Sequence, residues 1–243
     1  MAINKTEKKD CNNIDWSYEK GKNGPENWKN ICEDFIDCGG NAQSPVNIIT
    51  KNLINDKKLT IPIFNYKNSK TEIINDSHTI RFNIYGNNSI NLNGKNYKLL
   101  QFHYHALSEH TIDGKYFPLE LHLVHKHSDR DFAVIGIMFI EGKDNILFSK
   151  YLEKFPVQKG KYITDETINL STLFPANKSY YYYKGSLTTP PCREIVDWYL
   201  LTNPMEASKK QIDTFSKILN NNYREVFPLN NRNIKLFNEQ NQT

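Results

Sequence analysis

The run Tyr97-Lys98-Leu99-Leu100-Gln101-Phe102-His103-Tyr104-His105 reads as a β-strand, because from Gln101 onward polar side chains alternate with the rings of Phe102 and Tyr104, the period of two that a pleated strand imposes. His103 and His105 therefore share one face. A second alternating run, Leu119 to His125, sets Glu120 and His122 two positions apart. A neighbouring strand lies only about 4.8 Å away, so its imidazole can complete a set of three ring nitrogens that leaves the fourth position of a tetrahedral metal to water. His-x-His alone is a weak signal, since any surface strand carries polar residues at alternate positions. Gln101 and Glu120 strengthen it: each lies two residues before a histidine, on the same face. There an amide oxygen or a carboxylate can accept the second ring N–H and fix the tautomer.

Further runs predict strands over Leu59 to Tyr66, His78 to Tyr85, Ser89 to Leu92, Phe132 to Ile140, Tyr180 to Lys184 and Glu194 to Leu201. Two stretches show helical spacing: Asp144 to Phe155, with Leu147, Phe148, Tyr151, Leu152 and Phe155 on one stripe, and Ser208 to Asn220, with Ile212, Phe215 and Leu219. Asp144 and Ser208 stand where N-caps belong. Trp16 to Pro45, rich in Gly, Asn and Trp, is expected to be irregular and packed by its aromatics. The fold class expected is mainly β with peripheral helices (α+β), a single domain around a large, mostly antiparallel twisted central sheet. No repeat, linker or compositional break divides the chain. The expected limits are a flexible tail over residues 1–14, a domain over 15–238 and a short tail over 239–243.

With 243 residues, 38% of them hydrophobic, the chain has material for one sizeable core. The formal net charge is +4, but Lys and Arg intermix with Asp and Glu, which leaves no basic stripe for nucleic acid. No run approaches the length of a membrane span, and the first residues lack the apolar stretch of a secretory signal. Cys11, Cys32, Cys38 and Cys192 fit no CxxC-type metal site. Any disulfide pairing among them, or reduced thiols in a cytoplasmic protein, stays open on spacing alone.

Several blocks in order carry a resemblance: Trp16-Ser17-Tyr18, Gly24-Pro25-Glu26-Asn27-Trp28, Gln43-Ser44-Pro45-Val46-Asn47-Ile48, Ser77-His78-Thr79-Ile80, Gln101 to His105, Ser108-Glu109-His110-Thr111, Glu120 to His125, and Ser186-Leu187-Thr188-Thr189-Pro190-Pro191-Cys192. Together they resemble the α-carbonic anhydrase family, above all its compact bacterial members, from Trp16 to about Arg232. The resemblance implies a zinc enzyme that interconverts carbon dioxide and bicarbonate through a zinc-bound hydroxide, with ester hydrolysis as a side activity. It implies Zn2+ on His103, His105 and His122, with Gln101 and Glu120 as their supports. Glu109 and Thr188 match the pair that orients the attacking oxygen, since a threonine hydroxyl that donates to a carboxylate can only accept from the hydroxide. His78 falls at the proton-shuttle position. Val124, Val134, Leu187, Val196 and Trp198 fall at the apolar carbon dioxide pocket, with Thr188 and Thr189 beside it. His110 resembles a buried structural histidine, His125 faces away from His122 by strand parity, and His127 is expected to be exposed.

The same resemblance pairs Cys38 with Cys192, which leaves Cys11 and Cys32 to bridge each other or to join two chains. Oxidised cysteines imply a periplasmic or secreted protein, with a cytoplasmic location as the alternative. The partners implied are the small-molecule substrate, sulfonamide- or anion-type inhibitors, and a homodimer of the bacterial kind. A binding protein of the same fold that has lost the reaction is the rival reading; loss of a zinc histidine would mark it, and all three are present. The chain departs from the family pattern near the proton path, with Asn27 where His is common, Asp76 and Ser77 where Asn and Gly usually stand, and Arg81 where a neutral amide is frequent. Asp76 is expected to raise the pKa of His78 and Arg81 to lower it. Ala106-Leu107 replaces bulkier or Pro-containing choices beside His105 and is expected to widen the cavity wall.

Overall fold

The alternating runs assemble into one sheet of 13 strands in the computed structural model, which describes Cys11 and residues 14–242. The expected tail over 1–14 lies outside the described residues except for Cys11 and Ile14. Ten strands form the main path: β1 (Ile54–Asn55), β2 (Asn68–Asn75), β3 (Ile80–Ile84), β4 (Lys95–His105), β5 (Leu119–Ser128), β6 (Asp131–Glu141), β7 (Gly160–Asn169), β8 (Tyr180–Gly185), β9 (Val196–Leu201) and β10 (Lys235–Phe237). Their order across the sheet is β7-β2-β3-β4-β5-β6-β9-β8-β10-β1. The sheet is mixed: most neighbours are antiparallel, but β6 pairs with β9, and β10 with β1, in parallel.

Two strands escape the sequence pattern. Along β2 the face towards the larger core carries Ser69, Thr71 and Asn75 beside Ile73, and Glu72 is buried on the other face, so no hydrophobic alternation marks it. Strand β7 forms one edge of the sheet, paired among the described residues with β2 alone and with a register shift between Thr164 and Thr167. An edge strand buries too little to need an apolar face. Conversely, the run expected over Leu59 to Tyr66 pairs only at Ile63–Asn65.

Among the described residues there are three α-helices outside the sheet: α1 (Trp28–Ile31), α2 (Ile146–Tyr151) and α3 (Lys209–Leu219). The N-cap of α2 is Asn145, whose side chain accepts from the N–H groups of Leu147 and Phe148. Asp144, the expected cap, sits one residue too early for that reach. Ser208 does cap α3, in a capping box with Gln211. The apolar stripe of α3 includes the fully buried Phe215, whose replacement by Ala would cost about 3–5 kcal/mol. Asn220 and Asn221 both adopt left-handed backbone after it, φ 46° and 59°, a conformation asparagine tolerates. That reversal sends Asn222 and Arg224 back towards the sheet.

The sheet is covered on both sides. Phe102, Tyr104, Leu121, Leu123, Ile135 and Ile137 point to the larger core with α2 and α3. The opposite parity, with Val124, Val134, Met138, Val196, Trp198 and Leu200, faces a second core under Val46 and Ile48. This second face also carries His103, His105 and His122.

Candidate metal centre

Cross-strand register lays two rows across that face. Arg81 pairs with His103, His103 with His122, His122 with Gly136, and Gly136 with Leu200. In the adjacent row Gln101 pairs with Val124, Val124 with Val134, Val134 with Trp198, and Trp198 with Tyr183. Directly opposed residues share a face, so an imidazole row runs beside an apolar row.

Each of the three imidazoles has one nitrogen tied back. His103 Nδ1–H donates to Gln101 Oε1 at 2.9 Å, His105 Nδ1–H to the Asn222 carbonyl at 2.6 Å, and His122 Nε2–H to Glu120 Oε1 at 2.8 Å. The other nitrogens, Nε2 of His103 and His105 and Nδ1 of His122, are left for a ligand. One such atom from each histidine lies within 4.8 Å of those of the other two. Burial pushes the His103 pKa well below its ordinary value, with the neighbouring imidazoles adding to the effect; burial also takes His105 down to about 4 and lowers His122. All three rings are therefore neutral at pH 7 and offer lone pairs. His105 Nε2 is buried with no hydrogen-bond partner among the described residues, a cost that a metal would remove. The donor set fits the metal that the sequence implies.

Glu120 organises the surroundings. Its Oε2 accepts from the N–H groups of Glu109 and His110 at 2.8 and 2.9 Å, and its Oε1 also faces His110 Nδ1 at 2.8 Å. Burial pushes its pKa up, but His110 and His122 overcome that and hold it well below the ordinary carboxylate range. Glu109 is the opposite case: burial drives it up to about 7, although His122, the Thr188 side chain and the Arg224 N–H all pull it down. Its Oε1 accepts from that N–H at 2.9 Å, and its Oε2 stands 3.5 Å from His105 Nε2. Thr188 is buried beside it.

Val124, Val134, Val196 and Trp198 are all buried in the second core, with Leu187 packed against it. Thr189 is half-buried. His78 lies just before β3, half-buried, its ring stacked on Trp16 at 3.8 Å and 8°. Burial lowers its pKa; Asp76 and Asp15 raise it and Lys159 lowers it. Arg81 does not act on it as expected: its guanidinium pairs with Asp76 at 3.5 Å and its charge instead depresses His103.

A profile of the eukaryotic-type carbonic anhydrases matches residues 23–238. A carbonic anhydrase of Neisseria gonorrhoeae is 38% identical over 224 residues, covering 91% of this chain and 87% of that one. The chain belongs to the α-carbonic anhydrase family. Among solved structures, the α-carbonic anhydrase of Thermovibrio ammonificans in complex with the inhibitor sulfanilamide superposes with a TM-score of 0.87 at 36% identity, covering 91% of this chain and 98% of that one. A hyperthermostable carbonic anhydrase from a hydrothermal vent chimney gives 0.87 at 40% identity, covering 92% and 100%. The family's reaction is the interconversion of carbon dioxide and bicarbonate, and this chain is an enzyme of that family.

Several residues of this carbonic anhydrase site were not legible as such. Asn222 supplies the carbonyl for His105, while its side chain receives Ala106 N–H at 3.0 Å and donates to the Tyr104 carbonyl at 3.0 Å. Arg224 is fully buried, and its guanidinium donates to Gln43 Oε1, the Ser44 carbonyl and the Cys38 carbonyl. No local motif announces either, because both act across more than a hundred residues of sequence. Gly136 did carry a signal, a glycine inside a strand run. A Cβ there would sit 3.2 Å from Glu120 Oε1 and 3.1 Å from Leu200 Cγ.

The remaining histidines separate cleanly. His110 is buried between Glu120 and the Tyr183 hydroxyl, the latter 2.6 Å from its Nε2. His125 lies on the opposite face, its Nε2 2.5 Å from the Tyr66 hydroxyl, and His127 is exposed. Ala106 is buried and Leu107 exposed beside the site. Both disulfides form, Cys38–Cys192 and Cys11–Cys32. They are the mark of an oxidising compartment. Among the described residues no helix is long and apolar enough to cross a membrane.

Proposed function

We propose that this chain is a zinc-dependent carbonic anhydrase that hydrates carbon dioxide reversibly to bicarbonate and a proton, with residues 15–238 as its catalytic domain. The observation that carries the reading is the convergence of three neutral imidazole nitrogens within 4.8 Å, each backed by an acceptor on the ring's other nitrogen. That donor set suits Zn2+ on His103, His105 and His122. Bound there, the ion supplies the Lewis acidity that makes water nucleophilic near neutral pH, an effect for which carbonic anhydrases are themselves the standard example.

The rest of the chemistry falls to side chains. Thr188, with its hydroxyl proton directed at Glu109, can only accept from an attacking oxygen, so that oxygen keeps a lone pair turned towards substrate. Val124, Val134, Leu187, Val196 and Trp198 offer a nonpolar molecule a surface on which it forfeits no hydrogen bond, with Thr189 at its rim. His78 takes up the product proton and passes it to buffer. Gln101 and Glu120 hold the ligand rings in place. The same geometry accommodates a small ester as a side substrate. Sulfonamides or anions would compete at the metal, in keeping with the sulfanilamide complex of the Thermovibrio relative. The two disulfides favour a periplasmic or secreted location over a cytoplasmic one.

Stopped-flow carbon dioxide hydration tests the reading, run on the purified protein, a zinc-stripped sample and His105→Ala. The expected result is fast hydration that is absent from both controls and that returns to the stripped sample with Zn2+. Zinc binding without hydration would instead make the chain a binding protein of this fold.

A further inference from the structure

The Cys11–Cys32 disulfide joins residues 21 positions apart, and the described residues between them include Trp16, whose ring lies on His78. Residues 14–17 have no regular secondary structure, and the nearest backbone anchor to Trp16 is the single hydrogen bond from Ser17 N–H to the Asn23 carbonyl at 2.9 Å. The Trp16 ring's contacts are aromatic: edge-on to Trp28 at 5.2 Å and to Tyr18 at 5.3 Å, and flat on His78 at 3.8 Å. Trp28 is fully buried, with its indole N–H donating to the Ser17 and Asn23 carbonyls. Cys32 directly follows α1, which carries Trp28, and is itself buried with Phe35, Cys38 and Cys192. Cys11, Ile14, Trp16 and Tyr18 pack against that cluster, and Ile14 N–H donates to the Cys11 carbonyl.

A stacked ring pair returns less free energy than the ordering of even a few residues costs. The stack on His78 therefore needs something else to order the segment that bears it. We propose that the Cys11–Cys32 disulfide is that element: it clamps the loop onto the α1 cluster and so positions Trp16, which keeps the His78 ring in its stacked orientation. The proposal rests on the reading of His78 as the proton carrier. On that reading Cys11 and Cys32 are positioning residues for proton transfer, remote from the metal ligands. The charged groups that bear on the ring are Asp76, Asp15 and Lys159, with Arg81 held by Asp76; Asp15 lies in the clamped segment beside Trp16, while Asp76 and Lys159 lie outside it.

The test uses the full-length zinc-loaded protein and two variants, Cys11→Ala/Cys32→Ala and the milder Cys11→Ser, which leaves the buried Cys32 side chain in place. Trp16→Ala serves as the unstacked reference. The indole at 3.8 Å shifts the His78 ring protons upfield, and the NMR readout is that shift. Both disulfide-free variants are expected to lose most of it, approaching Trp16→Ala, while Cys38–Cys192 stays oxidised. Their kcat at low buffer is expected to fall towards that of His78→Ala with kcat/KM unchanged, because only proton return is affected. A ring shift equal to the parent's in both variants would overturn the clamp. Loss of the shift upholds it. If His78→Ala itself leaves kcat at low buffer unchanged, the proton-carrier reading fails separately, and the ring shift still decides the clamp.

Discussion

The clustered imidazoles of His103, His105 and His122 and the ring of His78 are held by different physics. His103 and His122 lie on β4 and β5, central strands paired on both sides, and each ring is pinned by an acceptor two residues away on its own strand. His78 lies in the turn before β3, where Asp76 Oδ1 accepts from the backbone N–H groups of His78 and Thr79, and its ring rests against Trp16. The first arrangement fixes direction to within a hydrogen bond. The second fixes the backbone and leaves the ring to a softer contact, as the proton-carrying role proposed for His78 requires. The lesson is that rigidity here follows the sheet's hydrogen-bond ladder, and the site uses both its centre and its margin.

The largest effect is expected where the rigid half is broken. Glu120→Ala removes the acceptor for His122, His110 and two backbone N–H groups, leaving buried donors unpaired. Zinc affinity should fall about 10–100-fold and stability by about 3–5 kcal/mol, measured by chelator competition and urea unfolding. Gln101→Ala, which removes one neutral acceptor, should stay at the low end of that range for affinity. Equal losses in the two variants would mean that charge and connectivity at Glu120 add nothing.

On the soft side, His78→Ala should lower kcat at low buffer by at least about tenfold, leave kcat/KM intact, and recover with added imidazole. A matching fall in kcat/KM would assign His78 to the hydration step instead. Ser77 precedes it at φ 78°, a region that suits glycine. Ser77→Gly should therefore raise stability by about 1 kcal/mol, seen as a higher denaturant midpoint with an unchanged m-value. The smallest expected effect is at Asp76, which raises the His78 pKa against the lowering by burial. Asp76→Asn keeps an oxygen to cap the turn but loses the charge, so the His78 pKa should fall further below its ordinary value of 6.5. An NMR pH titration reads this directly; an upward shift would show that the Asp76 charge does not raise the His78 pKa.

Legibility followed the same divide. His103, His105, His122, Gln101 and Glu120 could be read because a strand's period of two puts chemistry at fixed local offsets. The α3 cap at Ser208 was readable for a similar reason, whereas one polar residue beside another hid the true cap of α2, Asn145. Strand β2 was missed because polar residues occupy its buried positions, and β7 because an edge is free of the pattern. Arg81 was expected to act on His78, but its β3–β4 register places it opposite His103, and Asp76 takes its guanidinium.

What the sequence determined by itself is the mainly β class, the three imidazoles, and the carboxylate and amide that support them, all of them local relations along a strand. Only the tertiary structure decided that Asn222 and Arg224 complete the site from beyond α3, that Gly136 makes room for Glu120, that Cys11 pairs with Cys32, and that Trp16 lies on His78. Those relations depend on which strands become neighbours and where the chain returns after each helix. They arise from burying two faces of one sheet at once, and no spacing in the chain records that outcome.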